Sequence, residues 1–408
     1  MATCGSAESS DRPSPVNPSF RFFLSSGFVL PTASAALFFF VFHSFLLLPL
    51  RIQELGGGPS ETGFIMGISG VSMLLFTPLS GAMADRFGRK IFIVAGFAAL
   101  FLTCAGFVFL TALDWTVYVL RMLQGAAFSL FFTAAGAVVT ETAPEGNKVQ
   151  AMGIYGMFTI VGYAVAPYIG KHVVDLAGFS TLFSLVSLVC FFGIILSLFV
   201  RDTFSAERDD SAPPGFLPPF SAPLVICGAV LFVSGWVFLS QFSFVSLTAR
   251  AAGVEDFYIF FISFTGAVLF VRIFLGWIPD RYGIGFVCPP FLLLASLSVF
   301  ALSVSHVPYM LASSGALFGI SHGFTYPSLY LLAMEHSGGG AKAKVFAFCS
   351  ACFTGGGMLG TFASGIVADM AGYSAMYAAL AAVSFAGFAG FVRARPLLTS
   401  LPRNAKLI

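Results

Sequence analysis

The chain has 408 residues, of which 58% are hydrophobic and only 9% charged, with a formal net charge of +2. A water-soluble domain carries ~25% charged residues, so this balance excludes a soluble globular protein. Nucleic acid is excluded as a partner as well, because the sequence has no basic stripe and no RNA-binding motif.

In chain order, residues 1–20 are rich in Ser and Pro and are expected to be disordered on the cytoplasmic side. No cleavable signal is expected there, since this stretch is polar and the apolar run after it is too long for a signal core. Twelve apolar runs follow, each long enough to cross ~30 Å of hydrocarbon at 1.5 Å per residue. They cover 27–50, 62–83, 90–112, 116–139, 149–171 and 178–200, then 221–247, 257–279, 284–305, 308–334, 343–368 and 372–393. Residues 201–220 mix charge with Pro at the middle of the chain and read as a cytoplasmic linker. The expected organisation is an all-α membrane protein: a six-helix bundle over 21–200, the linker, a second bundle over 221–394, and a tail over 395–408. The other connections are short and leave no room for a soluble catalytic domain.

Charge placement orients these runs. With the N-terminus inside, fifteen Lys and Arg fall in cytoplasmic segments and three, Arg51, Lys171 and Arg250, on the other side. That bias puts both termini in the cytoplasm, in an integral membrane protein expected to lie in a bacterial inner membrane. Seven cysteines are scattered, mostly inside the runs; Cys349-Ser-Ala-Cys352 has metal-site spacing but no partner pair, and reads as small residues at a helix contact.

The chain also repeats itself. Gly81, Asp85, Arg86 and Gly88 recur 195 residues later as Gly276, Asp280, Arg281 and Gly283. At an offset of 194, Gly125 and Glu141 return as Gly319 and Glu335, and Asp175-Leu-Ala-Gly178 as Asp369-Met-Ala-Gly372. A membrane protein built of two related halves usually moves a solute between them.

The first break, Gly81-Ala-Met-Ala-Asp85-Arg86-Phe-Gly88-Arg89-Lys90, resembles the signature of the major facilitator superfamily between its second and third helices. The second copy is similar to that family's weaker pseudo-repeat, and the resemblance covers essentially the whole chain. It implies two six-helix bundles flanking a central cavity that opens alternately to each side. Physically, Asp85 would face the positive N-terminal end of the eleventh helix, after Gly338-Gly339-Gly340, and Arg86 or Arg89 would pair with Glu141. Asp280 and Arg281 would repeat this with the start of the fifth helix and with Glu335. The two clusters are expected to latch the outward-open state.

Two further motifs resemble the same family. Arg121-Met-Leu-Gln124-Gly125 is similar to its fourth-helix RxxQG arrangement, and an arginine inside an apolar span usually faces a cavity or a partner. Gly153, Gly162, Ala166-Pro167 and Gly170 resemble the fifth-helix antiporter motif of the drug/proton branch, with Ala166 and Lys171 standing where Gly is usual. Small residues at this spacing let helices approach closely, and Pro167 bends the helix. The pattern is expected to seal the outer side of the cavity in the inward-open state.

In this fold the first, fourth, seventh and tenth helices line the cavity. Candidates there are His43, Arg121, Gln124, Gln241 and His322, with Tyr326 one turn after His322 on the same face, and Arg272 on the eighth helix. No Asp or Glu lies mid-span, so a coupling proton would ride on His43 or His322 or on the acids at helix ends. The two arginines would disfavour a permanently cationic solute.

The sequence therefore predicts a secondary transporter working by alternating access, with proton-coupled efflux of a small neutral, amphipathic or anionic solute. An importer or facilitator of a small metabolite on the same scaffold is the alternative. An enzyme is not expected, since no metalloprotease motif, nucleophile elbow or phosphate-binding loop is present. No cofactor or metal is expected, and the partners are the solute, protons and the lipid bilayer around a monomer.

Overall fold

The structure, a computed structural model, describes residues 22–203, 218, 220–304, 307–336 and 342–399. The expectations for residues 1–20, for most of the linker, for Gly338–Gly340 and for the tail beyond 399 lie outside the described residues.

Helices dominate because lipid offers the backbone no hydrogen-bond partner, and a helix satisfies its own N–H and C=O groups. The spans are α1 Ser26–Glu54, α2 Pro59–Phe87, α3 Arg89–Val108 and α4 Trp115–Thr142. The helix Lys148–Ser197 turns back on itself at Gly178 and supplies α5 (148–177) and α6 (179–197). The second half gives α7 Ala222–Ala251, α8 Tyr258–Leu275, α9 Ile284–Val304 and α10 Pro308–Glu335. The helix Lys342–Thr399 turns at Gly372 and supplies α11 (342–371) and α12 (373–399). Nine described helices are long and apolar enough to cross a membrane. Two of them cross twice, and α10, packed between α8 and α9, completes twelve.

Four boundaries depart from the sequence reading. The gap expected between the fifth and sixth runs shrinks to one residue, because Gly178 alone makes the reversal, and Gly372 does the same between α11 and α12. The run 257–279 is not one helix: α8 passes through a π-helical turn, Val271–Leu275, before a short helix, Ile278–Tyr282. The last helix runs to Thr399, through Pro396, beyond the expected boundary at 394.

The duplication is written into the backbone. Six glycines have positive φ, and they form three pairs: Gly56 (89°) with Gly253 (74°), Gly88 (95°) with Gly283 (85°), and Gly178 (80°) with Gly372 (81°). Close helix contacts repeat as well. A Cβ on Gly125 of α4 would collide with the Ser69 carbonyl of α2, and one on Gly319 of α10 with the Phe264 carbonyl of α8.

The two halves share a core on one side only. The face carrying residues 85–90 and the start of the linker is here the linker face; the face carrying Arg51, Lys171 and Arg250 is the opposite face. Toward the opposite face, buried residues of the second half such as Phe244, Phe261 and Tyr377 belong to one continuous core with those of the first half. Toward the linker face the second half packs on itself, around Leu231, Cys288, Leu329 and Val345. At the linker-side ends of α2 and α8, nothing stands within 4 Å of an added Cβ at Gly81 or at Gly283. The halves are therefore closed at the opposite face and parted at the linker face.

Gly178 and Gly372, with ψ of 174° and 170°, lie in a region nearly closed to residues with a Cβ. Nothing stands within 4 Å of an added Cβ at either, so the penalty is backbone strain alone. Gly178→Ala and Gly372→Ala should each cost about 1–3 kcal/mol, read as a lower unfolding midpoint of the detergent-solubilised protein, while Gly136→Ala, also in open space, should cost nothing measurable.

Candidate functional site

Closure of the opposite face rests on α2 and α11. A Cβ on Gly63 would lie 2.6 Å from the Thr361 carbonyl oxygen, and one on Gly365 would lie 2.7 Å from that of Pro59. Phe64 stacks on Phe362 at 5.0 Å, and the Ser60 hydroxyl donates to Asp369 Oδ2 at 2.7 Å. The symmetry-related contact between α5 and α8 is looser and aromatic: Tyr168 meets Tyr258 edge-on at 5.2 Å, with Lys171 3.9 Å from Glu255. Arg250 reaches Glu54 at 4.0 Å.

Beneath this seal an aromatic seam joins the halves. His43 of α1 is buried and stacks on Tyr163 of α5 at 3.7 Å. Tyr163 packs against Phe242 of α7 at 5.1 Å and Phe264 of α8 at 6.1 Å. Phe238 then leads to His322 of α10 at 4.8 Å, and His322 to Tyr326 at 5.0 Å. The expected shared face of α10 is present, and it continues as a hydroxyl chain: Tyr326 donates to Tyr330 at 3.2 Å, and Tyr330 lies 3.1 Å from Ser350 of α11. A small cavity lined by Ser234, Ser321, Thr325 and Ser384 lies behind His322, inside the second bundle.

Arg272 projects from the π-helical turn of α8. Its Nη1 lies 3.7 Å from where a Cβ on Gly156 of α5 would be, so the guanidinium spans the boundary between the halves. Tyr326 and His322 are its titratable neighbours.

Several other candidates sit elsewhere. Arg121 is not at the aromatic seam; it is 5% exposed and tied to α2, where Nε donates to the Ile65 carbonyl at 3.0 Å and Nη2 to the Met66 carbonyl at 2.8 Å and Ser69 Oγ at 3.1 Å. Its remaining nitrogen, Nη1, donates to Gln124 Oε1, which accounts for Gln124 being buried beside it. At the repeat-mate position, Gly315 packs directly on the Phe260 carbonyl, the counterpart of Ile65. A charge in one half thus fills the place that bare backbone contact fills in the other. Gln241 is fully buried, with no hydrogen-bond partner for either amide atom among the described residues.

The glycines of the antiporter-like motif serve their own half. Gly162 makes room for His43, whose Nδ1 would lie 2.6 Å from an added Cβ; Gly170 backs onto Leu47; Pro167 is buried; Gly153 meets nothing within 4 Å. Closure across the halves at α5 falls instead to Tyr168 and Lys171, beside the motif.

At the linker face the first charge cluster forms within its own half. Arg89, not Arg86, pairs with Glu141 (2.8 Å) and with Asp85 (2.8 Å), while Arg86 lies over the Phe87 ring. Asp85 is 71% exposed and does not reach α11 among the described residues, and Gly81 borders open space. Gly88 leaves room for Asp202, which accepts from the Arg89 backbone N–H at 3.0 Å, and Thr203 donates to Glu141. The start of the linker is therefore pinned to this cluster. Lys90 forms no ion pair among the described residues. In the second half, Arg281 rests on Trp277 and Tyr282, and neither Asp280 nor Glu335 joins it in an ion pair among the described residues. The expected contacts of Asp85 with α11 and of Asp280 with α5 are thus not made in this state among the described residues, because the halves are parted where they would form; the expected pair of Arg281 with Glu335, both in the second half, is also absent there, and Arg281 rests on rings instead.

Sequence reading missed Tyr163, Phe238, Phe264 and the Gly63–Gly365 contact. Gly63-x3-Gly67-x2-Gly70 on α2 was the available signal for the contact, and the position of Tyr163 next to Gly162 the signal for the seam.

Two six-helix halves that meet around an aromatic interface, closed on one face and open on the other, define a membrane transporter. The profile of the Major Facilitator Superfamily matches residues 29–341, and the chain belongs to that family. It is similar to the multi-drug resistance efflux pump PmrA of Streptococcus pneumoniae, at 26% identity over 380 residues, covering 86% of this chain and 91% of that protein. It is also similar to the staphylopine export protein of Staphylococcus aureus, at 24% identity, covering 81% and 86%. Its fold matches the nucleoside transporter NupG, with a TM-score of 0.75 at 14% identity over 90% of this chain and 99% of that one. The human organic anion transporter MFSD10 gives 0.68 at 15% identity over 92% and 100%.

Arg121 should behave as a structural tie. Arg121→Lys, which cannot reproduce the forked bonding to α2, should lower stability by about 1.5–3 kcal/mol, measured as an earlier unfolding midpoint in detergent.

Proposed function

We propose that the protein exports a small amphipathic solute across a bacterial cytoplasmic membrane by alternating access, in exchange for protons, with both termini inside. The observation that carries the reading is the one-sided closure. The halves share a core toward the opposite face and part toward the linker face, which positive-inside charge assigns to the cytoplasm. This is an inward-facing carrier, with its solute site at the aromatic seam. The names of the relatives PmrA and the staphylopine export protein support export.

In this reading the linker-face charges are a latch that is released in the inward-facing state. Asp85 is exposed and spends its charge on Arg89, ready to meet the start of α11 when the linker face closes. Losing that contact should favour the inward-facing state, so Asp85→Asn is expected to slow turnover severalfold without loss of protein from the membrane. Wild-type flux in this variant would remove the latch.

The coupling proton is assigned to His322 rather than His43. His322 is only partly buried beside the interface, whereas His43 is sealed under Tyr163. In proteoliposomes with an imposed pH gradient, solute movement should collapse the gradient, recorded as lumenal pH. His322→Ala should abolish gradient-driven flux and keep downhill exchange. Solute flux that ignores the gradient would make the protein a facilitator, the reading favoured by the lack of a mid-span carboxylate.

A further inference from the structure

We propose that Arg272 is the anion anchor of the transported solute, and that the solute is an organic oxyanion with a flat apolar body. The inference rests on the carrier reading and narrows its substrate class.

The protein treats its intramembrane arginines in two opposite ways. Arg121 is buried with all three guanidinium nitrogens hydrogen-bonded. Arg272 has no hydrogen bond and no ion pair among the described residues, although Arg51, Arg89 and Arg250 each have a carboxylate partner. A guanidinium is never deprotonated at working pH and presents a fork of donors that fits two oxygens at once. Left without a counter-charge at this depth it is costly, and such residues mark substrate or ion pathways.

The surroundings select the ligand. Arg272 sits on a π-helical turn, a local distortion often found at functional sites, and it reaches across to Gly156 in the other half. Glycine there leaves open the space beside the guanidinium, so a ligand on Arg272 would touch both halves. His322 and Tyr326 are its titratable neighbours, and a ring N–H of His322 can donate to an oxyanion, while the Tyr326 proton is given to Tyr330. Next to them Phe238 (4.8 Å from His322) and Phe353 (5.2 Å from Tyr326) give the point an aromatic border that suits an apolar or aromatic body. No Asp or Glu lies mid-span to attract a cation instead. The headgroup of an anionic lipid has the same chemistry, and the exposed Phe270, Ile273 and Phe274 beside Arg272 make it the competing source.

The test uses the full-length protein in phosphatidylcholine liposomes with two probes of the same body, 1-pyrenebutyrate and its neutral alcohol 1-pyrenebutanol. Wild type should bind the carboxylate at least about tenfold more tightly than Arg272→Gln does, with the alcohol bound equally by both, and Arg272→Lys should keep part of the preference. Unfolding midpoints of the variants control for misfolding, and Arg272→Lys carries the test if the glutamine variant does not fold. Equal binding of the two probes by wild type, no binding, or indifference to Arg272 would overturn the proposal. Loss of carboxylate binding when the liposomes contain phosphatidylglycerol would assign the site to a lipid headgroup and overturn the solute reading. The carrier reading fails differently: Arg272-dependent binding would persist, but without saturable flux of the probe into the liposomes.

Discussion

The backbone-to-backbone approach of α2 and α11 governs this structure. Inside a bilayer, burying apolar side chains gives helices little reason to associate, so they hold together by close packing, and glycine permits the closest packing. Gly63 and Gly365 each leave room for a carbonyl of the other helix, beside which Ser60 reaches Asp369, and Tyr168 meets Tyr258 at the related α5–α8 contact. The polar ties of this seal are few and sit at the water boundary, where an exposed ion pair is worth ~0–1 kcal/mol. A seal built from shape rather than from strong bonds can be tight and still come apart.

The same economy shapes the interior. Beneath the seal the halves meet through rings, where Tyr163 packs on Phe238, Phe242 and Phe264, and rings can slide without stranding hydrogen bonds. Fixed polar networks are kept within a half, where nothing needs to move. Arg121 binds α4 to α2, and Arg89 binds the start of α3 to the end of α4. Arg272 stands outside this division, at the boundary and with no hydrogen bond or ion pair among the described residues.

Much of this was legible in the chain. The Gly81 to Gly88 tetrad and its copy announced two halves, and the backbone agrees in the positive φ of Gly88 and Gly283. Run lengths placed all twelve spans, because lipid thickness leaves few choices. Arg121 was misplaced because a lone intramembrane arginine looks the same in sequence whether it faces a cavity or a neighbour's carbonyls. Only the helix rotation decides, and a helix apolar all round does not reveal its rotation. The antiporter-like glycines misled for a related reason: their spacing requires a close neighbour but does not name it, and the neighbour is α1. The latch residues were found but not their present partners, since one sequence serves several states and a structure holds one.

Duplicated architecture invites the thought that a helix could be exchanged for its counterpart in the other half. The difference between Arg121 and its repeat-mate Gly315 argues otherwise. In the first half a guanidinium is inserted between two helices, whereas in the second the equivalent helices touch with nothing between them. Grafting α4 in place of α10 would force a side chain of six heavy atoms beyond Cβ into a gap sized for hydrogen, so each helix is fitted to its own bundle.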